Sequence, residues 1–248
     1  MAKDGLEGWS VRAFWNVLRD APAALLRTKS EGVLVIMANT RTALPPLWRG
    51  AGPLILASKS ESRRALLSAA GLAAEFVAPE IDERALEDHY FAGGGSLEGV
   101  AAALARAKAL AASAERPEAY CIGADQTLTL EGRILHKSRD LPEAARTLAT
   151  LAGRTHRLTS AFCVARASEA LVVHSDHADL KMRALDRPEI SRYLERAGPA
   201  VLASVGAYRG EGLGVHLFDR IEGDHSVVLG LPMLSLLAWM RREKLISL

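Results

Sequence analysis

Four consecutive apolar residues, Leu54 to Ala57, read as a strand buried on both faces. Polar and basic residues follow at once in SKSESRR, and the apolar pattern resumes at Ala65, Leu66 and Leu67. This predicts a helix over 60–70, closed by Gly71. Phe76 to Ile81 reads as a second strand that ends in the acidic run EIDER. GGGS at 93–96 is a flexible break, too short to be a domain linker. Ser96 is placed to cap a long alanine-rich helix reaching about Ala114, with Glu98 in its first turn. AYCIGAD (119–125) is another buried strand, and TLTLEGRILHK alternates around Glu131-Gly132 as a hairpin would.

Pro142 to Leu151 is predicted helical, with Gly153 just past its end. His156–Ala165 and Leu171–Met182 read as long strands joined by a turn at 166–169. Asp186 caps a helix over 187–197. Residues 201–229 read as short strands broken by glycines. Pro232 opens a last helix with Leu234, Leu237 and Trp239 among its apolar positions. Interleaved strands and helices, with no internal repeat, predict a single α/β domain with a mixed sheet over 51–248.

Residues 1–50 break this order. They hold three of the four tryptophans (Trp9, Trp15, Trp48) without a clean period, and Asp4, Glu7 and Asp20 argue against a signal or transit peptide. One reading is an extension largely outside the core, with Met37 as an alternative start; the other is an added amphipathic helix around Val11–Leu26.

Composition narrows the function more than the fold. The chain has 248 residues, is 49% hydrophobic and 24% charged, and carries a net charge of +2. That balance disfavours a general nucleic-acid binder. No apolar run is long enough to span a membrane. Cys121 and Cys163 lie inside apolar runs and read as buried hydrophobes, so a reducing, cytoplasmic setting is expected.

The chemistry concentrates at strand ends. A strand that turns directly into a helix exposes the helix's first N–H groups, which attract anions. Ser58 and Ser60 add hydroxyls there, and Arg63 or Arg64 can fork onto a phosphate. The bland alternative is an ordinary capping serine beside a solvated basic face. Glu80, Asp82 and Glu83 follow one strand and Asp125 follows another. Carboxylates beside a phosphate cradle suit a hard cation such as Mg²⁺; the bland alternatives are a solvated acidic loop for Glu80, Asp82 and Glu83 taken singly and a turn or cap residue for Asp125. Lys108 and Lys137 are further cations whose default is a solvated face. The seven histidines show no metal-ligand spacing.

LILASKSESRRALL, APEID, LARAKA, GADQ, LAGRTH, GAYRGEGLG and VLGLP, in this order and over about residues 53–242, resemble the Maf family of nucleoside triphosphate pyrophosphatases. The resemblance implies an α/β fold with a nucleotide cleft, commonly a homodimer. It implies cleavage of a nucleoside triphosphate to monophosphate and pyrophosphate with Mg²⁺ or Mn²⁺. Asp125 falls on the catalytic aspartate, and Glu80 on an acidic residue expected to help Asp125 hold the metal. Ser58, Ser60 and Arg63 fall on the phosphate-binding motif, and Lys108 and Lys137 on site lysines. Ser62, Gln126 and Glu211 fall on positions tied to substrate choice; Gln126 and Glu211 resemble the 7-methyl-GTP subfamily. The alternatives are dTTP or UTP as substrate, or a nucleotide-binding regulator of cell division. Three positions depart from the family: Glu61 and Ser138 replace prolines, and Ser62 replaces a bulky aromatic.

Overall fold

The computed structural model describes residues 46–247. The expectations for the N-terminal extension, apart from Trp48, lie outside them. Trp48 forms an isolated bridge with Ile246 and packs edge-on against Tyr120, tying the start of the described chain to its end.

A seven-stranded mixed sheet is the frame. Strand β1 (Leu54–Ala57) is buried at every position. It lies between β2 (Glu75–Val77) and β3 (Tyr120–Leu130), parallel to both. A parallel strand covered on both faces needs an unbroken apolar run, and LILA supplies it. From β3 onward the sheet is antiparallel: β5 (Thr155–Arg166), β6 (Glu169–Met182) and β7 (Phe218–Glu222) follow in order, and β4 (Arg133–Leu135) pairs with the end of β3. Both predicted hairpins form. Glu131-Gly132 and Ala167-Ser168 each take left-handed φ at both turn residues, the geometry of tight two-residue loops.

Among the described residues seven helices flank the sheet. They are α1 (Glu61–Ala69), α2 (Glu83–Ala92), α3 (Val100–Glu115), α4 (Leu141–Leu151), α5 (Arg187–Ala197), α6 (His225–Val228) and α7 (Met233–Arg242). None of the described helices is long and apolar enough to cross a membrane. One core cluster joins α1 and α7 to Leu56, Ile122 and Phe162; another joins α4 and α5 to Leu128, Leu158 and Leu180. Helix α3 covers the opposite face of β3 and β5, through Ala101, Ala105 and Ala109.

Several boundaries differ from expectation. β2 stops at Val77 rather than Ile81, because its partner β1 ends at Ala57. The acidic run continues into α2, whose N-cap Asp82 accepts from the Ala85 amide. None of α2's residues is fully buried, so it lacks the apolar stripe that would have announced it. α3 begins at Val100; Ser96 instead accepts from the Gly99 amide in the preceding turn. Three 3₁₀ turns (Gly198–Ala203, Val205–Ala207, Leu213–Leu217) replace the short strands expected there, leaving β7 alone. In α7 the buried face is Met233, Leu236, Trp239 and Met240, while Leu234 is 66% exposed.

Candidate active site

β3 is longer than expected, and its length makes the site. β1 pairs with it as far as Gly123, and β4 pairs with it only from Leu128. Ala124 to Thr127 therefore have no strand on that side, and a cleft of about 1200 Å³ opens at the gap. Asp125 is not at a strand end. It sits mid-strand, held opposite Ala161 of β5, at the point where the neighbouring strand runs out.

Arg63 fills part of the gap. Its Nη1 donates to the Ala124 carbonyl at 2.8 Å and to Ser58 Oγ at 3.2 Å, and its Nε donates to the Gly230 carbonyl at 2.7 Å. The guanidinium thus ties β1, β3 and the loop before α7 together. A two-nitrogen fork onto phosphate is not open to it, since only Nη2 lacks an acceptor among the described residues. Burial pulls its pKa down, against Asp125 and Glu83, which raise it. It stays charged regardless.

Helix α1 starts where the cradle was expected. Ser60 caps it by accepting from the Arg63 amide, and the buried Ser58 hydroxyl accepts from the Ser60 amide. The Ser58 proton remains free to donate into the cleft. Glu61 does not crowd the cradle; its side chain is 83% exposed and leans toward Arg209 at 3.8 Å.

On the other face of β3, α3 comes in very close. A Cβ on Gly123 would stand 2.1 Å from the Ala105 carbonyl and 2.4 Å from the Ala109 amide, so only glycine permits this approach. It places Lys108, 8% exposed, against Asp125, 7% exposed. The ammonium donates to Asp125 Oδ1 and, at 2.8 Å, to Glu83 Oε1 at the start of α2. A buried lysine is tolerable here because two carboxylates compensate it. Burial would raise the Glu83 pKa, but its hydrogen bond with Lys108 and the charges of Lys108, Lys137 and Arg63 hold it below the ordinary range. Burial, followed by Arg63, pushes Lys137 down; Glu83 and Asp125 resist.

Besides Asp125, the carboxylate that meets Lys108 is Glu83, one of the three acids that follow β2 in the sequence. Glu80 is exposed on the lining of the same cleft. As a cation site the region is sparse: among the described residues no three His, Cys, Asp or Glu side chains come together. Among the described residues, no donor reaches Asp125 Oδ2. One or two carboxylates that leave the remaining positions to phosphate oxygens and water is how Mg²⁺ is usually held, so the donor set fits.

The residues tied to substrate choice are spread out. Gln126 points to the opposite face of β3 from Asp125. Its amide nitrogen lies 2.9 Å from Ser160 Oγ, 2.9 Å from the Val227 carbonyl and 3.1 Å from the Val228 carbonyl, so it anchors α6. Among the described residues its oxygen meets no donor. Ser62 Oγ donates to Glu211 Oε1 at 2.6 Å. Buried Ser138 meets Thr147 at 3.2 Å, so its hydroxyl is partnered. Behind the wall, His156 Nε2 lies 2.6 Å from the hydroxyl of cleft-lining Tyr208.

The family model described as Maf-like protein matches residues 53–243. The chain is 46% identical over 201 residues to a nucleoside triphosphate pyrophosphatase of Bradyrhizobium diazoefficiens, covering 81% of this chain and 98% of that one. It is 47% identical over 194 residues to a 7-methyl-GTP pyrophosphatase of Brucella abortus, covering 78% and 98%. A 7-methyl-GTP pyrophosphatase of Rhizobium meliloti is 50% identical over 188 residues, covering 76% and 94%.

Proposed function

This chain belongs to the Maf-like protein family, and from that premise we propose that it hydrolyses a nucleoside triphosphate, with 7-methyl-GTP as the preferred substrate, to the monophosphate and pyrophosphate. The observation that carries the reading is the Lys108 ammonium shared by Asp125 and Glu83 at the gap in the sheet, in a cleft that the N-terminus of α1 also lines.

The phosphates lie along the start of α1, where Ser58 and the first amides donate and the helix dipole favours negative charge. Lys137 and the remaining Arg63 nitrogen, which line the same cleft, add positive charge. Asp125 accepts a proton through its free Oδ2 from the water that attacks phosphorus; the phosphoanhydride bond breaks and pyrophosphate leaves with the electron pair. Lys108 fixes the Asp125 carboxylate through Oδ1, so the accepting oxygen is oriented before substrate arrives. Glu83, with Asp125 beside it, would hold a divalent cation together with phosphate oxygens and water, and the cation would supply neutralisation of the charge that builds on them.

Selection of 7-methyl-GTP rests on Glu211. Methylation makes the guanine cationic, and an ionised carboxylate on the cleft wall favours that base. The relatives named for this substrate support the same choice.

Pyrophosphate release across 7-methyl-GTP, GTP, dTTP and UTP, with Mg²⁺ or Mn²⁺, tests the reading. The expected result is the highest kcat/KM for 7-methyl-GTP. Preference for dTTP or UTP contradicts the substrate, and nucleotide binding without release contradicts the activity.

A further inference from the structure

Arg209 lies at the cleft mouth between two carboxylates, and no step proposed above uses it. Its Nε and Nη2 stand 3.2 Å and 3.1 Å from Glu211 Oε1. Its Nη1 is 3.8 Å from Glu61 Oε2. Ser62 donates to the same Glu211 oxygen at 2.6 Å. The side-chain donors all converge on Oε1, and Oε2 receives no side-chain donor among the described residues. The arrangement is held from behind: a Cβ on Gly214 would stand 2.4 Å from the Arg209 carbonyl, so the following 3₁₀ turn packs directly on the Arg209 backbone. Burial would raise the Glu211 pKa, but the bond from Ser62, its own backbone and Arg209 outweigh this and keep it ionised.

Two negative charges and one positive charge leave a residual negative charge on this wall. We propose that Arg209 sets how strongly the cleft prefers a cationic base over a neutral one, by partly neutralising Glu211, while Glu61 draws part of that neutralisation away. The inference rests on the reading above that the base lies against Glu211. It gives Glu61 a role: the residue that replaces the family's proline keeps Arg209 from cancelling Glu211 completely. Arg209 acts through Glu211 and is a positioning residue. The arginine and glutamate side chains are about a third exposed, so the effect is moderate and screened by salt.

7-Methyl-GTP and GTP carry the same phosphates and differ by one charge on the base. The ratio of their kcat/KM values therefore isolates this wall from the phosphate cradle. The experiment measures that ratio for the wild type, Arg209→Met, Arg209→Lys and Glu61→Gln, at low ionic strength and at 0.5 M salt. The proposal expects Arg209→Met to raise the ratio roughly three- to ten-fold, mainly through KM, with the rise shrinking in salt. Arg209→Lys returns the ratio close to wild type, and Glu61→Gln lowers it. An unchanged or lower ratio in Arg209→Met, failure of lysine to rescue it, or no response to Glu61→Gln each overturns the proposal. Glu61 is almost fully exposed, so its variant is not confounded by misfolding. A wild type without preference for 7-methyl-GTP refutes the base reading of Glu211; the direction in which the variants move the ratio still decides the role of Arg209.

Discussion

Lys108, Asp125 and Glu83 form the smallest unit of the account. Removing one carboxylate from a buried lysine leaves its charge half compensated, so the two acidic residues near the cleft should differ sharply. Glu83→Gln is expected to reduce kcat/KM roughly 10- to 100-fold, the loss seen when a group that orients a site residue is removed. Glu80→Gln, on an exposed residue with no ion partner among those described, should stay within about three-fold. Steady-state kinetics of the two variants settle which acid serves the site; a larger loss in Glu80→Gln contradicts the geometry. Asp125 and Lys108 were legible because they stand inside recognisable motifs. Glu83 was hidden among three nearby acids that sequence cannot rank. The clasp of Ser62, Arg209 and Glu211 joins residues 149 positions apart, which no local pattern reveals.

At the scale of elements, the decisive contact is α3 on β3. The helix buries Ala101, Leu104, Ala105, Lys108 and Ala112 on one face. Lys108 thus lies on the buried stripe, but alanine all round the helix blurs the period, which is why a solvated lysine is the default reading of the sequence. Gly123→Ala puts a methyl group into the α3 backbone, and the helix must shift. Overpacking of this kind costs about 1–3 kcal/mol. Displacing Lys108 by about 1 Å should cost a further ~10² in rate. Urea denaturation and turnover of this variant check both; normal activity in a destabilised protein contradicts the link between helix approach and catalysis. Elements with a clear signal, such as the LILA strand and the two hairpins, were readable in advance. α2 and the 3₁₀ turns were not, because their residues are mostly exposed or turn by left-handed glycines such as Gly206, with φ +77°.

For the whole molecule, the mixed sheet was readable from the interleaved pattern, but the gap between β1 and β4 was not, since it depends on where two neighbours stop pairing with β3. The same sheet carries His156, 1% exposed, whose pKa is pushed down from 6.5 to about 4 by burial, against a small opposing effect of Asp179. The folded state keeps it neutral while the unfolded chain protonates it. Its contribution is therefore complete above pH 6.5 and is lost as pH falls from there through about 4. The loss amounts to about 3 kcal/mol. Urea unfolding at pH 7.5 and 4.5 should show this decline, and His156→Gln should flatten it.

The Asp125 carboxylate, oriented by Lys108, is expected to drive hydrolysis that releases pyrophosphate. The most direct measurement follows pyrophosphate and orthophosphate together during turnover of 7-methyl-GTP by the wild type and by Asp125→Asn, with the fold of each confirmed by circular dichroism. The expected result is pyrophosphate as the released product and a fall of roughly 10²–10⁴ in rate in the variant at unchanged fold. Orthophosphate as the main product, or near-normal turnover in a folded Asp125→Asn, contradicts it.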